Sequence, residues 1–253
     1  MKRRNGLGGM QKQFRGFYTH SQAVHENERT YLLSELENVA SNEWKDERRH
    51  IDCDGFNFFE LKKSKRKELY DTCLRIMLRC ITHGPYKYDN KPRGVFVNRF
   101  TPPLKKTKNR FDGGLKLHVD GNRRAHMITV AFVLGTFSGG VLKVAKTKNG
   151  AAQIVHETRN IPNYRDIAKL NLCEGMLYWF PGCLVDHAVS AVSSGTRYAF
   201  VAFFPAKDSL ACLWKLWNGK QFQCQHHGCS FASHSKDGLR KHLQRNHNTH
   251  TAT

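Results

Sequence analysis

Long apolar runs are what this 253-residue chain lacks first. No stretch could span a bilayer and no N-terminal apolar run fits a secretory signal peptide, so neither a membrane protein nor a secreted one is expected. An internal repeat is missing as well. The eight cysteines form no disulfide framework: Cys73 and Cys80 share a helical face, Cys224 and Cys229 belong to a separate motif, and Cys53, Cys173, Cys183 and Cys212 are scattered. That usage implies a reducing compartment. Acidic residues are also scarce, 21 against 41 lysines and arginines, for a net charge of +20. This excess steers a protein toward polyanions with salt-sensitive affinity. Two short basic clusters, Lys2-Arg3-Arg4 and Lys62 to Lys67, suit nuclear import and suggest the nucleus, with the cytoplasm as the alternative.

What is present divides the chain. Residues 1–20, basic and carrying Gly6, Gly8 and Gly9, read as a mobile arm. Glu26 to Trp44 places Leu32, Leu33, Leu36 and Val39 at helical spacing, and Ser64 to Ile81 does the same with Leu69, Cys73, Ile76 or Met77, and Cys80. Strand-like runs then dominate: Gly94 to Phe100, His126 to Leu134, Val141 to Val144, Met176 to Phe180 and Tyr198 to Phe204. The expected organisation is a catalytic domain over 21–205 with its β core at 90–205, a linker at 206–221 and a small module at 222–249. A monomer is expected.

Between the first two of these strands lies His118-Val119-Asp120, followed by His187 and Arg197. Residues i and i+2 of a strand face the same side, so His118 and Asp120 can reach one metal together. Two histidines and a carboxylate occupy one face of an iron(II) ion and leave its other positions open. A second copy, His50-Ile51-Asp52, has no strand context and reads as a decoy. The same donors could hold zinc in a hydrolytic site.

The ordered series Leu115-x-Leu117-His118-x-Asp120, Gly139-Gly140-x-Leu142, Gly175-x-Leu177-x-x-Phe180-Pro181-Gly182 and His187-x-Val189-x-x-Val192-x-x-Gly195-x-Arg197 resembles the 2-oxoglutarate/Fe(II)-dependent dioxygenases over roughly residues 90–205. The resemblance implies an α+β protein with a double-stranded β-helix (jelly-roll) core and N-terminal supporting helices. It also implies Fe(II), 2-oxoglutarate and O₂ as cofactors, with ascorbate as an accessory. His118, Asp120 and His187 would bind iron. Arg197, ten residues beyond the distal histidine, would pair with the distal carboxylate of 2-oxoglutarate, a role suited to a planar fork that stays charged. The positioned Arg197 fits the oxygenase better than the zinc hydrolase. Such enzymes convert O₂ and 2-oxoglutarate to succinate and CO₂ while oxidising a C–H bond. Ala145 to Leu172 is longer than the core needs and reads as an inserted loop or lid.

At the C-terminus, Phe222-x-Cys224-x4-Cys229-x12-His242-x4-His247 has the spacing of a ββα C₂H₂ zinc finger, with Cys224, Cys229, His242 and His247 as ligands to a structural Zn(II). Its base-facing positions hold Ser235, Gly238 and Lys241, which discriminate bases poorly, so it reads as a docking module with weak sequence preference or as a protein-binding finger. Lys105, Lys106, Arg110, Arg123 and Arg124 flank the H-x-D strand and are candidate phosphate contacts, with Asn122 a candidate base contact. The repair dioxygenases of alkylated bases carry a second arginine in the last strand, which this chain lacks. Two subgroups remain. The TET/JBP group oxidises the methyl of 5-methylcytosine or thymine in DNA, and the prolyl hydroxylases act on peptides. Net charge and the finger tip the reading to a TET/JBP-like enzyme with DNA as its partner. The alternatives are a prolyl-type protein hydroxylase and a nucleic-acid-binding protein with an inactive oxygenase fold.

Overall fold

Alternation of side chains along the last long strand decides the architecture. In Arg197–Pro205, the side chains of Arg197, Ala199, Val201 and Phe203 line one cavity, while Phe200, Ala202 and Phe204 are buried on the opposite face. A strand covered on both sides must lie inside a sheet with a further layer packed on each face. The computed structural model describes residues 10–14, 16–45, 55–82, 84–103, 114–121, 126–146, 151, 154, 166–209, 213, 222–223, 232–233, 241–242 and 244.

In chain order the elements are β1 (Met10–Phe14), β2 (Phe17–His20), α1 (Glu26–Glu37), β3 (Phe56–Glu60), α2 (Lys67–Ile81), β4 (Val95–Phe100), β5 (Leu115–His118), β6 (Met127–Leu134), β7 (Phe137–Gly139) and β8 (Leu142–Ala145). There follow β9 (Ile167–Leu170), β10 (Leu177–Phe180), β11 (His187–Val189), β12 (Val192–Gly195) and β13 (Arg197–Pro205). The major sheet has seven strands in the order β1-β2-β10-β6-β13-β4-β3, and the minor sheet four in the order β5-β11-β8-β9. Neighbours in both are antiparallel. This is an α+β fold with an antiparallel β core and N-terminal helices, consistent with the expected jelly roll. Side chains from the two sheets share one cavity: Asn98, Phe100, Thr129, Tyr178 and Arg197 from the major sheet meet Leu115, His118, Leu142 and His187 from the minor one.

The other face of the major sheet carries the helices. Leu69, Cys73, Ile76, Met77 and Cys80 of α2 are buried, and the helix packs against β6 and β10. α1 is tied to α2 through a buried carboxylate. Glu28 accepts two hydrogen bonds from Arg79, at 3.0 and 2.8 Å, and one from the His25 N–H at 3.0 Å. Burial alone would push Glu28 up, yet Arg79 and the His25 N–H hold it below the usual carboxylate value.

Several expectations are revised. Residues 10–20 are no mobile arm: β1 pairs with β2 and β2 with β10, with Phe17 and Tyr18 buried. The aromatic side chains outweigh the local basic charge, and Gly16, at φ +78, supplies the tight turn. The first helix ends at Glu37 rather than Trp44, because Asn38, Ser41 and Asn42 favour turns over helix continuation. The segment after Ala145 contributes β9, an extra strand of the minor sheet beside β8. Among the described residues Cys73, Cys80, Cys173 and Cys183 are free, and no helix is long and apolar enough to cross a membrane.

The Glu28 cluster gives a stability prediction. A carboxylate depressed in the folded state contributes stability that is present above its unfolded pKa, about 4.3, and is lost as pH falls through the folded value. Urea denaturation should show Glu28→Gln less stable than wild type by about 2 kcal/mol at neutral pH, with the gap closing in acid. A pH-independent gap would assign the loss to packing.

Candidate active site

Three donors converge where the two sheets meet. His118 ends β5, His187 begins β11, and the two stand directly opposite each other in the antiparallel register. Asp120 follows two residues after His118, and its N–H donates to the Gly182 carbonyl at 3.0 Å. Asp120 Oδ1 lies 3.5 Å from His118 Nε2, and Oδ2 lies 3.5 Å from His187 Nε2. Within the described residues this is the one group of donors able to share a metal ion, all its atoms lying within 4.8 Å of one another.

The histidine tautomers follow from their outer bonds. His118 Nδ1 lies 2.7 Å from the Lys116 carbonyl and His187 Nδ1 2.8 Å from the Val185 carbonyl. A carbonyl only accepts, so each Nδ1 carries a proton and Nε2 is the nitrogen turned toward Asp120. The rings sit 4.3 Å apart by centroid, and the Phe180 ring meets His187 edge-on at 5.0 Å. His187 and Asp120 are buried. Burial would push Asp120 up, but His187 and His118 hold it well below the usual carboxylate range. Burial likewise lowers His187, and Asp120 more than offsets this, raising it. Thr129 completes the set: its hydroxyl donates to Asp120 Oδ2 at 2.5 Å.

Arg197 opens β13 and lines the same cavity. It is 0% exposed, and none of its three guanidinium nitrogens has a hydrogen-bond partner among the described residues. Its guanidinium carbon lies 4.9 Å from the Phe100 ring centroid and 5.9 Å from that of Phe137, and Tyr178 is the polar group beside it. Burial lowers its pKa, with Tyr178 opposing. A buried cation without a counter-charge is costly, and a planar fork with every donor unspent fits a carboxylate. The donor set suits a divalent iron and the orphaned fork suits a carboxylate co-substrate, so the residues present fit both groups that the sequence implied.

The glycine pair of the sequence motif shapes this corner. Gly139 and Gly140 have φ of +78 and +64, and a Cβ on Gly140 would lie 3.1 Å from Arg197 Cδ. Sequence reading missed Thr129, Tyr178 and Gly182. For Thr129 a signal existed: it is the lone hydroxyl in the apolar run Met127–Leu134.

Lys105, Lys106, Arg110, Asn122, Arg123 and Arg124 lie outside the described residues, as do the decoy His50 and Asp52 and the zinc candidates Cys224, Cys229 and His247. Near the C-terminus the described elements are a short strand pair, β14 (Phe222–Gln223) with β15 (Ala232–Ser233), and the half-buried His242.

No family model matches the chain, and no curated protein is similar to it in sequence. Solved structures are similar in fold. A prolyl hydroxylase from Trichoplax adhaerens, in complex with a hypoxia inducible factor oxygen degradation domain peptide, shares 15% identity at a TM-score of 0.53, covering 76% of this chain and 84% of that one. A Pseudomonas putida prolyl-4-hydroxylase shares 14% at 0.52, covering 77% and 94%. HygX from Streptomyces hygroscopicus, with nickel and 2-oxoglutarate bound, shares 10% at 0.52, covering 76% and 84%. The fold is shared with these structures, and at the meeting of its two sheets this chain brings together a His-Asp-His donor group that could hold a metal ion.

Two expectations are thereby corrected. The similar structures are prolyl hydroxylases and HygX rather than TET/JBP enzymes, and one of them holds a peptide, which overturns both the TET/JBP-like assignment and nucleic acid as the partner. The C-terminal zinc finger is withdrawn as well. No family match supports it, and of its four expected ligands only His242 lies among the described residues. Spacing of cysteines and histidines fixes sequence separation only, whereas a zinc site needs the four donors brought to one point.

Because Arg197 is buried without a partner, its presence should cost the ligand-free protein stability. Arg197→Met, similar in volume, should raise the urea midpoint of metal-free protein, corresponding to at least about 1 kcal/mol. An unchanged or lower midpoint would mean that the guanidinium is satisfied where it lies.

Proposed function

We propose that this protein is an iron(II)- and 2-oxoglutarate-dependent oxygenase that hydroxylates a protein side chain, in the manner of the prolyl hydroxylases. The observation that carries this reading is the fully buried, unpartnered Arg197 guanidinium in the same cavity as the three metal donors. His118 Nε2, the Asp120 carboxylate and His187 Nε2 would hold the iron, and Arg197 the distal carboxylate of 2-oxoglutarate. When bound, iron and 2-oxoglutarate with O₂ supply the oxidising power for a C–H bond, releasing succinate and CO₂.

The chain's own residues do the positioning. The Lys116 and Val185 carbonyls hold the two imidazoles with Nε2 turned inward. Phe100, Phe180, Val189 and Phe203 line the cavity and keep water from the charged groups. In this low-dielectric setting a charge-assisted Arg197–carboxylate pair strengthens and orients the co-substrate. A peptide as substrate is supported by the prolyl hydroxylases of similar fold, one of them peptide-bound.

Incubation with Fe(II), 2-oxoglutarate, ascorbate and a library of proline-containing peptides should release succinate and yield peptides heavier by one oxygen atom, read by mass spectrometry. Succinate without an oxygenated peptide would overturn the substrate class and leave the oxygenase chemistry standing. No succinate at all would overturn both. Each of His118→Ala, Asp120→Ala and His187→Ala should abolish succinate release. Arg197→Met should instead raise the 2-oxoglutarate requirement, by about 2–5 kcal/mol or thirtyfold and more. Unchanged affinity for 2-oxoglutarate would assign its carboxylate to another residue.

A further inference from the structure

We infer that Thr129 is a positioning residue that holds Asp120 Oδ2 away from the metal, so that Oδ1 alone is offered as the ligand, and that Gly182 is glycine to make room for this contact. The inference rests on the metal-site reading above and concerns how the carboxylate is presented.

Thr129 is 3% exposed in the middle of β6, among Met, Ile, Val, Ala, Phe and Leu side chains. A hydroxyl buried there is costly unless bonded, and it donates to Asp120 Oδ2 at 2.5 Å. The donor sits on a central strand of the major sheet, paired to β10 on one side and β13 on the other, so it cannot follow the carboxylate if that rotates. A carboxylate pinned by one oxygen resists the turn about Cβ–Cγ that would bring both oxygens onto one ion. Both oxygens stand 3.5 Å from an imidazole Nε2, Oδ1 from His118 and Oδ2 from His187, but only Oδ2 is engaged by Thr129, so Oδ1 is the oxygen left to ligate. Ligation through one oxygen keeps the most positions open for a co-substrate and O₂.

Gly182 supplies an independent observation. Its carbonyl accepts the Asp120 N–H at 3.0 Å, so the turn after β10 lies directly on Asp120. A Cβ there would overlap Thr129 Oγ1 and Asp120 Oδ2 and come within 2.9 Å of Thr129 Cβ. Its φ is not in the left-handed region, so backbone conformation does not demand glycine. Space around the Thr129–Asp120 bond does.

Anaerobic titration with Co(II), followed through its visible d–d band, tests this without turnover. Thr129→Val keeps shape and removes the donor. It should bind Co(II) about ten- to a hundredfold more weakly, the range for losing an outer-shell partner of a ligand, with an altered band. Thr129→Ser should restore both affinity and band. Gly182→Ala should weaken Co(II) binding and lower the melting temperature. The double variant Thr129→Ala/Gly182→Ala, relieved of the overlap, should recover the melting temperature and not the affinity. Wild-type affinity and band in Thr129→Val overturn the inference. If that variant does not fold, wild-type affinity in the double variant overturns it instead. A wild-type protein that binds no Co(II) overturns the metal site itself, an outcome distinct from intact binding in the variants.

Discussion

The pairing of His187 opposite His118 is the constraint on which the site depends. Successive residues of a strand face opposite sides, so a slip of one residue between β5 and β11 would turn one imidazole out of the cavity. That slip is opposed from both flanks. β11 is also registered against β8, with His187 facing Val144 and Val189 facing Leu142. Past the end of β5, the Asp120 N–H is anchored on the Gly182 carbonyl. One backbone register thus delivers three donors to a point, and the outer bonds of the imidazoles set which nitrogen faces inward.

The same point concentrates groups that a β core would exclude. Arg197, Asp120, His187 and Thr129 are buried where apolar side chains would be more stable. The surrounding scaffold offsets this cost through aromatic packing. Phe132 stacks on Phe200 at 4.6 Å, Trp44 meets Phe59 edge-on at 4.9 Å, and α2 closes the outer face of the major sheet. Local rules fail at Thr129 and Arg197, where a buried hydroxyl and a buried guanidinium do nothing for the fold that an apolar side chain would not do better.

The misplaced substrate has a physical explanation. The DNA reading rested on net charge and on C-terminal cysteine and histidine spacing, neither of which describes the cavity. Net charge describes long-range steering and solubility, and leaves open what fits between two sheets. The basic residues that flank the H-x-D strand lie outside the described residues. The cavity itself is lined by Phe100, Leu115, Phe180, Val189 and Phe203 around a compact polar cluster.

By itself the sequence determined the strands at Val95–Phe100, Met127–Leu134, Leu142–Ala145, Leu177–Phe180 and Arg197–Pro205, the presence of two helices before them, and the three donors His118, Asp120 and His187, because these are written as local periodicity and as residue types demanding one chemistry. The hairpin at Met10–His20 was hidden, since its stability comes from β10, far along the chain, and its basic residues spoke more loudly than Phe17 and Tyr18. Tertiary structure alone decided that the Arg197 guanidinium has no hydrogen-bond partner among the described residues, that Thr129 reaches Asp120 from a strand of the other sheet, and that a Cβ at Gly182 would find no space. Each of these is a relation between elements distant in the chain. Local sequence specifies which way a side chain faces along its strand, and only the packing of one sheet on another specifies what it meets there.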